Sequence, residues 1–114
     1  MSDANVVAAR ENLEDGMLVV LSGEIDLVRS PILRKELMAT LDTSLSRLVI
    51  DLSNVPLMDS SGVATLIEVL QLQRSAGGKL VLCGLQEKVL GVFEITRLTE
   101  VFTIVDDRDS AKRV

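Results

Sequence analysis

Two apolar runs separated by a polar junction constrain this chain more than any other feature. Leu48-Val49-Ile50-Asp51-Leu52 is nearly all apolar, as a strand well inside a sheet must be. Val63-Ala64-Thr65-Leu66-Ile67 opens a run with helical spacing, whose core stripe is Val63, Leu66, Ile67 and Leu70. Between them stands Leu57-Met58-Asp59-Ser60-Ser61-Gly62. A strand feeding a helix through such a junction is one half of a β-α-β unit, and the rest of the chain supplies more of them.

Asn5 to Arg10 and Met17 to Ser22 read as short strands, joined through Asn12 to Gly16 as an antiparallel hairpin. Ser30-Pro31 reads as an N-cap followed by proline at the first helical position, and Leu33, Leu37 and Leu41 give an amphipathic helix ending near Asp42. Arg47 to Leu52 is the next strand. The helix after it runs to about Ser75 and stops at Gly77-Gly78. Lys79 to Cys83 is a further buried strand, Gln86 to about Glu94 a third helix, and Val101 to Val105 a last strand. Asp107 to Val114 allows at most two helical turns. The order ββαβαβαβα predicts an α/β fold over residues 1–114 as one domain: a mixed, mainly parallel sheet of four or five strands, with an antiparallel N-terminal strand and three or four helices.

Composition excludes several functions. The chain has 114 residues, 17 acidic and 12 basic, and no His, Trp or Tyr. Without His it lacks the commonest general base and zinc ligand. No Walker loop, dinucleotide fingerprint or Gly-x-Ser-x-Gly elbow is present. A net charge of −5 without a basic patch argues against nucleic-acid binding. No apolar stretch approaches the roughly 18 residues of a membrane span, and the N-terminus lacks a signal-peptide pattern. A lone cysteine, Cys83, fits a small buried hydrophobe in a reducing cytoplasm. No metal or cofactor is expected, and the chain reads as a substrate or binding module, not an enzyme.

In parallel sheets the loops at the strand ends carry function. The loop Gly23 to Asp26 and the loop Pro56 to Gly62 fall on one edge, and neighbouring strands would bring Asp26 close to Ser60. A serine at a helix start can carry phosphate, because the free N–H groups there favour anions. Asp or Ser before an apolar run is also the ordinary way to cap a helix. Gly62 in the first helical turn costs up to about 1 kcal/mol relative to alanine, so close approach to its backbone or special torsions are expected. Val69 and Leu72 lie off the core stripe and would widen it into an apolar strip for a protein partner, although a broad buried face looks the same in sequence.

Gly23-Glu24-Ile25-Asp26, the apolar strand and Met58-Asp59-Ser60-Ser61-Gly62 together resemble the bacterial anti-sigma-factor antagonists of the STAS fold. Gly77-Gly78-Lys79-Leu80-Val81 and Val92-Phe93-Glu94 fit the same pattern, over residues 5 to 110. The resemblance implies partner switching. The unphosphorylated antagonist binds an anti-sigma factor that is also a serine kinase, phosphorylation of Ser60 blocks binding, and a metal-dependent serine phosphatase reverses it. It also implies that Asp26 belongs to the partner-binding loop, and the expected contact set is Asp26, Asp59, Ser61, Gly62, Val69 and Leu72. The alternative is a non-switching STAS scaffold or accessory subunit, in a stress-sensing complex or beside a lipid-transport ATPase, with Ser60 only a cap. A response-regulator receiver is disfavoured because the chain lacks its paired acidic cluster and its late lysine before proline.

Overall fold

The computed structural model describes residues 5–41 and 45–114. Five strands form one sheet in the order β1-β2-β3-β4-β5. They are β1 (Val7–Leu13), β2 (Gly16–Ser22), β3 (Arg47–Asn54), β4 (Lys79–Cys83) and β5 (Thr103–Val105). β1 runs antiparallel to β2, and every later neighbour is parallel. The helices are α1 (Ser30–Leu41), α2 (Ser60–Ser75), α3 (Glu87–Ile95) and α4 (Arg108–Arg113). The mixed, mainly parallel sheet expected from the sequence is the one observed.

Several element ends differ from the sequence reading, β3 among them, which runs on past Leu52 to Asn54. The first strand begins at Val7 and runs on to Leu13, because the hairpin turns in two residues, Glu14 and Asp15. The last strand begins at Thr103: a 3₁₀ turn, Leu98–Glu100, takes up the chain before it. Phe102 there turns inward to meet Phe93 edge-on, with ring centroids 5.4 Å apart. The cap-type hydrogen bonds ahead of α1 come from Asp26, one turn before Ser30, which is itself helical. The predicted end of that helix at Asp42 lies outside the described residues.

The sheet buries both faces. On one, Val19, Leu21, Leu48, Ile50, Leu52, Leu80 and Leu82 pack with Leu33 and Leu37 of α1, Leu66 and Val69 of α2, and Val89 and Phe93 of α3. On the other, Leu18, Val20, Val49, Val81 and Cys83 pack with Ala111 of α4. Alternate strand residues feed alternate faces, which is why the strands read as unbroken apolar runs.

α4 is only six residues long, and polar contacts hold it in place. Arg108 Nε meets the carboxylate of Asp51, which is 3% exposed, at 2.5 Å. Arg47 donates to the carbonyls of Ala111 (3.0 Å) and Val114, and Lys79 donates to Val114 O at 3.1 Å. Lys112 lies 3.5 Å from Glu11. Burial pushes the Asp51 carboxyl up, but the Ser53 N–H and the Arg108 guanidinium outweigh it and hold it below the usual carboxylate range.

Candidate functional site at the carboxyl edge of the sheet

Because β2 and β3 are parallel neighbours, the loops that leave them emerge side by side. A further bridge ties them together beyond the strands: Ile25 N–H donates to Leu57 O and Asp59 N–H donates to Ile25 O, both at 3.0 Å. Ile25 and Met58 point inward and are buried. The residues that follow them, Asp26 and Asp59, are exposed. A shallow depression of about 350 Å³ lies between the loops, lined by Glu24, Ile25, Asp26, Leu57, Met58 and Asp59.

Asp59 is the N-cap of α2. Its carboxylate accepts from the backbone N–H of Ser61 at 2.9 Å and of Gly62 at 3.4 Å. It also accepts the Ser61 hydroxyl at 2.5 Å. That hydroxyl, more than any other group, holds the Asp59 carboxyl below the usual carboxylate range, with the N–H groups of Ser61, Gly62 and Leu27 adding to it. The N–H groups expected to receive an anion are therefore occupied by the chain's own carboxylate. Ser60 is the first residue of the helix and exposed, and among the described residues its hydroxyl has no hydrogen-bond partner.

Gly62 is buried beneath the loops. A Cβ there would stand 2.7 Å from Ile25 Cγ2 and 2.7 Å from Met58 Cγ. The close approach inferred from its place in the sequence is real, but the approaching groups are the protein's own bridge residues. Gly62 sets the spacing of the two loops and does not itself reach the surface.

Val69 is the expectation that the structure overturns. It is 0% exposed, so it cannot meet a partner. α1 lies alongside α2, and the two helices are clamped by a two-pronged pair in which Arg34 donates to both Glu68 oxygens at 2.8 Å. The buried face of α2 is centred on Gly62, Leu66, Val69 and Gln73, so Val69 lies in its middle and not beyond its edge. Leu72 is 43% exposed, but it sits twelve residues after Ser60, about 18 Å along the helix, remote from the loops.

The apolar surface at the site comes instead from the loops. Leu27 and Val28 are 74% and 76% exposed, and Leu57 is 42% exposed. The backbone that carries Leu27 and Val28 is held by hydrogen bonds despite that exposure. The Asp26 carboxylate accepts from Val28 N–H at 3.0 Å and Arg29 N–H at 2.9 Å, and its carbonyl accepts from Ser30 N–H at 2.8 Å. A Leu-Val pair between an Asp and an Arg, in a segment with no helical or strand period, was the available sequence signal. The edge is thus three apolar side chains set among Glu24, Asp26 and Asp59, with the exposed Ser60 hydroxyl beside the half-buried Ser61. Among the described residues no group of three or more His, Cys, Asp or Glu side chains could hold a metal ion, and no helix is long and apolar enough to cross a membrane.

The STAS domain model matches residues 6–111, nearly the whole chain. The chain belongs to the STAS domain family. This STAS domain is 32% identical over 91 residues to the anti-sigma-B factor antagonist of Bacillus subtilis, covering 80% of this chain and 83% of that protein. Its fold superposes on the crystal structure of an anti-sigma factor antagonist from Mycobacterium paratuberculosis with a TM-score of 0.83 and 27% identity, over 90% of this chain and 87% of the other. The Bacillus cell fate determinant SpoIIAA, solved in its phosphorylated form, shares the fold at a TM-score of 0.70 and 17% identity, over 92% and 96% of the two chains.

Proposed function

We propose that this STAS domain is an anti-sigma factor antagonist that works by partner switching in the bacterial cytoplasm. In its unmodified form it binds an anti-sigma factor with serine kinase activity through the carboxyl edge of the sheet, and so releases that factor's target. Phosphorylation of Ser60 blocks the interface, and a metal-dependent serine phosphatase restores it. The chain is the substrate of both reactions and the catalyst of neither.

The observation that carries this reading is the contrast between adjacent serines. The Ser61 hydroxyl is engaged by Asp59, whereas the Ser60 hydroxyl is exposed and, among the described residues, unpartnered beside an apolar rim. Of the two serines at the start of α2, Ser60 is the more exposed and the one whose hydroxyl Asp59 does not hold. The names of the relatives point the same way.

The physical effect of the phosphate follows from its surroundings. It brings about −1.5 to −2 charges to a site already holding exposed Asp59, with Asp26 on the adjoining loop. The Asp59 carboxylate already occupies the cap N–H groups, so the helix offers little compensation. Reversing a partner equilibrium from 99:1 to 1:99 takes about 5.5 kcal/mol, which desolvating a dianion inside an interface can supply. The block is therefore local, and the free phosphorylated domain keeps its backbone.

The test is intact-mass spectrometry and site mapping after incubation with ATP and a purified candidate kinase from the genes adjacent to this chain's own. One phosphate on wild type, lost in Ser60→Ala and kept in Ser61→Ala, supports the switch. Tight binding without phosphate transfer would favour the scaffold reading of the same fold.

A further inference from the structure

One guanidinium gathers three backbone carbonyls from two separate stretches of chain at the edge of the site. Arg29 donates to Glu24 O within the loop, to Ser22 O at the end of β2 (3.0 Å) and to Asn5 O ahead of β1 (3.3 Å). A planar fork of five donors suits such a cluster of carbonyls, and a single ammonium does not.

Gly23 is shaped to receive it. Its φ of +87° lies in the left-handed region, and a Cβ there would stand 2.5 Å from Arg29 Nη1 and 3.1 Å from Cζ. The residue is glycine for torsion and for room at once. Its own N–H donates to Asn54 O at 2.9 Å, which ties the same point to the end of β3.

Between the Gly23–Arg29 seat and the Asp26 cap stand Leu27 and Val28, three-quarters exposed. A loop whose task is only to join β2 to α1 gains nothing by presenting two apolar side chains to water on a hydrogen-bonded backbone. A loop that must bind gains, because ordering it beforehand removes part of the entropy cost of association.

We infer that Arg29 is a positioning residue for partner binding: its fork of carbonyl contacts, seated on Gly23, holds the Leu27–Val28 tip in its binding shape before a partner arrives. The inference rests on the reading of this edge as the antagonist's binding face, and it adds to the contacting residues the device that orders them. Arg29 need touch no partner atom to act.

The experiment uses the full chain as wild type, Arg29→Lys, Arg29→Ala, Gly23→Ala and the Gly23→Ala/Arg29→Ala double variant. Affinity for the purified candidate anti-sigma kinase is measured by titration calorimetry, and amide exchange at Val28 and Arg29 is measured in the free protein. Both Arg29 variants are expected to bind about tenfold more weakly or worse, with exchange at least about tenfold faster and core amides of β3 and β4 unchanged. A merely structural role would instead move core protection and loop protection together. Gly23→Ala is expected to weaken binding alone and to add less in the Arg29→Ala background, where the guanidinium it would strike is gone. If Arg29→Ala lowers global stability, Arg29→Lys carries the test, since it keeps the charge and most of the stem.

Wild-type affinity in Arg29→Lys would reduce Arg29 to a charge and overturn the proposal, as would unchanged exchange in Arg29→Ala. Failure of the wild type to bind any candidate kinase would overturn the reading of the edge itself. The exchange measurement needs no partner and still decides whether Arg29 orders the tip.

Discussion

The Asp59 carboxylate accepts the Ser61 hydroxyl at 2.5 Å, while the adjacent Ser60 hydroxyl finds no partner among the described residues. Two chemically identical groups, one residue apart, are thereby made different by a third. Asp59→Ala releases Ser61 and is expected to spread kinase-dependent phosphate over both serines, as mapped by fragmentation of the modified peptide. Phosphate confined to Ser60 in that variant would mean that the kinase makes the choice by itself.

Gly62→Ala is expected to destabilise the domain although alanine is the better helix former. The added methyl would press on Ile25 and Met58 at 2.7 Å each, and overpacking of this kind costs about 1–3 kcal/mol against a helical gain of about 1 kcal/mol. Urea unfolding checks the sign. A neutral or stabilising result would show that the bridge between the loops can yield.

Leu27→Ala and Val28→Ala should leave stability within about 0.5 kcal/mol of wild type, because both side chains already face water. Binding of the anti-sigma partner is expected to fall by about 2 kcal/mol in the double variant, roughly thirtyfold, as for anchors of an interface. Val69→Ala should do the reverse: it leaves a core cavity and lowers stability by about 1–3 kcal/mol without removing any contact surface. Calorimetric titration beside thermal melts separates the two behaviours.

The Asp51–Arg108 pair gives α4 a defined response to acid. The Asp51 carboxyl is depressed in the folded state, so its contribution is fully present above the unfolded carboxylate value, about 3.9, and is lost as pH falls through the lower folded value. Arg108→Ala is expected to cost about 1 kcal/mol at neutral pH, the half-exposed arginine giving less than a fully buried partner would. The gap between variant and wild type should close on acidification below about pH 4, and a gap constant down to pH 2 would contradict the assignment.

Cys83 reports on the same helix. Burial above all, and then the nearby Asp51 charge, pushes its thiol up to about 11. Ellman's reagent at pH 8 should therefore label native wild type only as fast as the structure opens. Ala111→Asp puts a charge into the fully buried seat of α4 and is expected to raise the labelling rate at least about tenfold while the loop edge keeps its shape.

Much of the architecture was legible because period and punctuation agreed. Apolar runs at Leu48 to Leu52 and Lys79 to Cys83 could only be covered strands, and Gly77-Gly78 stopped α2 where the sequence said it must. Parallel neighbours then brought the Asp26 and Ser60 loops to one edge. What was not legible depended on neighbours distant in sequence. Val69 looked like surplus apolar surface because the buried face of α2 also runs through Gly62 and Gln73, whose partners Ile25 and Leu45 are distant in sequence and whose residue types do not read as core. The apolar rim was hidden for the opposite reason: Leu27 and Val28 have no period, and only the capping bonds of Asp26 reveal that they are held outward. The weight carried by α4 was equally invisible, since six residues have no amphipathic signature to read and their anchors, Arg47, Asp51 and Lys79, lie on strands far away.

The sheet order β1-β2-β3-β4-β5 repeats the order of the chain, with no strand inserted between earlier ones. Each strand therefore docks onto the edge left by the one before it, and no finished pair has to reopen. A ribosome delivering this chain from its N-terminus would hand over the strands in the sequence in which the sheet can grow. The loop pair bearing Asp26 and Ser60 needs only β2 and β3 side by side, and both precede β4 in the chain. The second apolar face of the sheet is covered last, because Ala111, which packs on Leu18, Val20, Val49, Val81 and Cys83, lies in Arg108–Arg113.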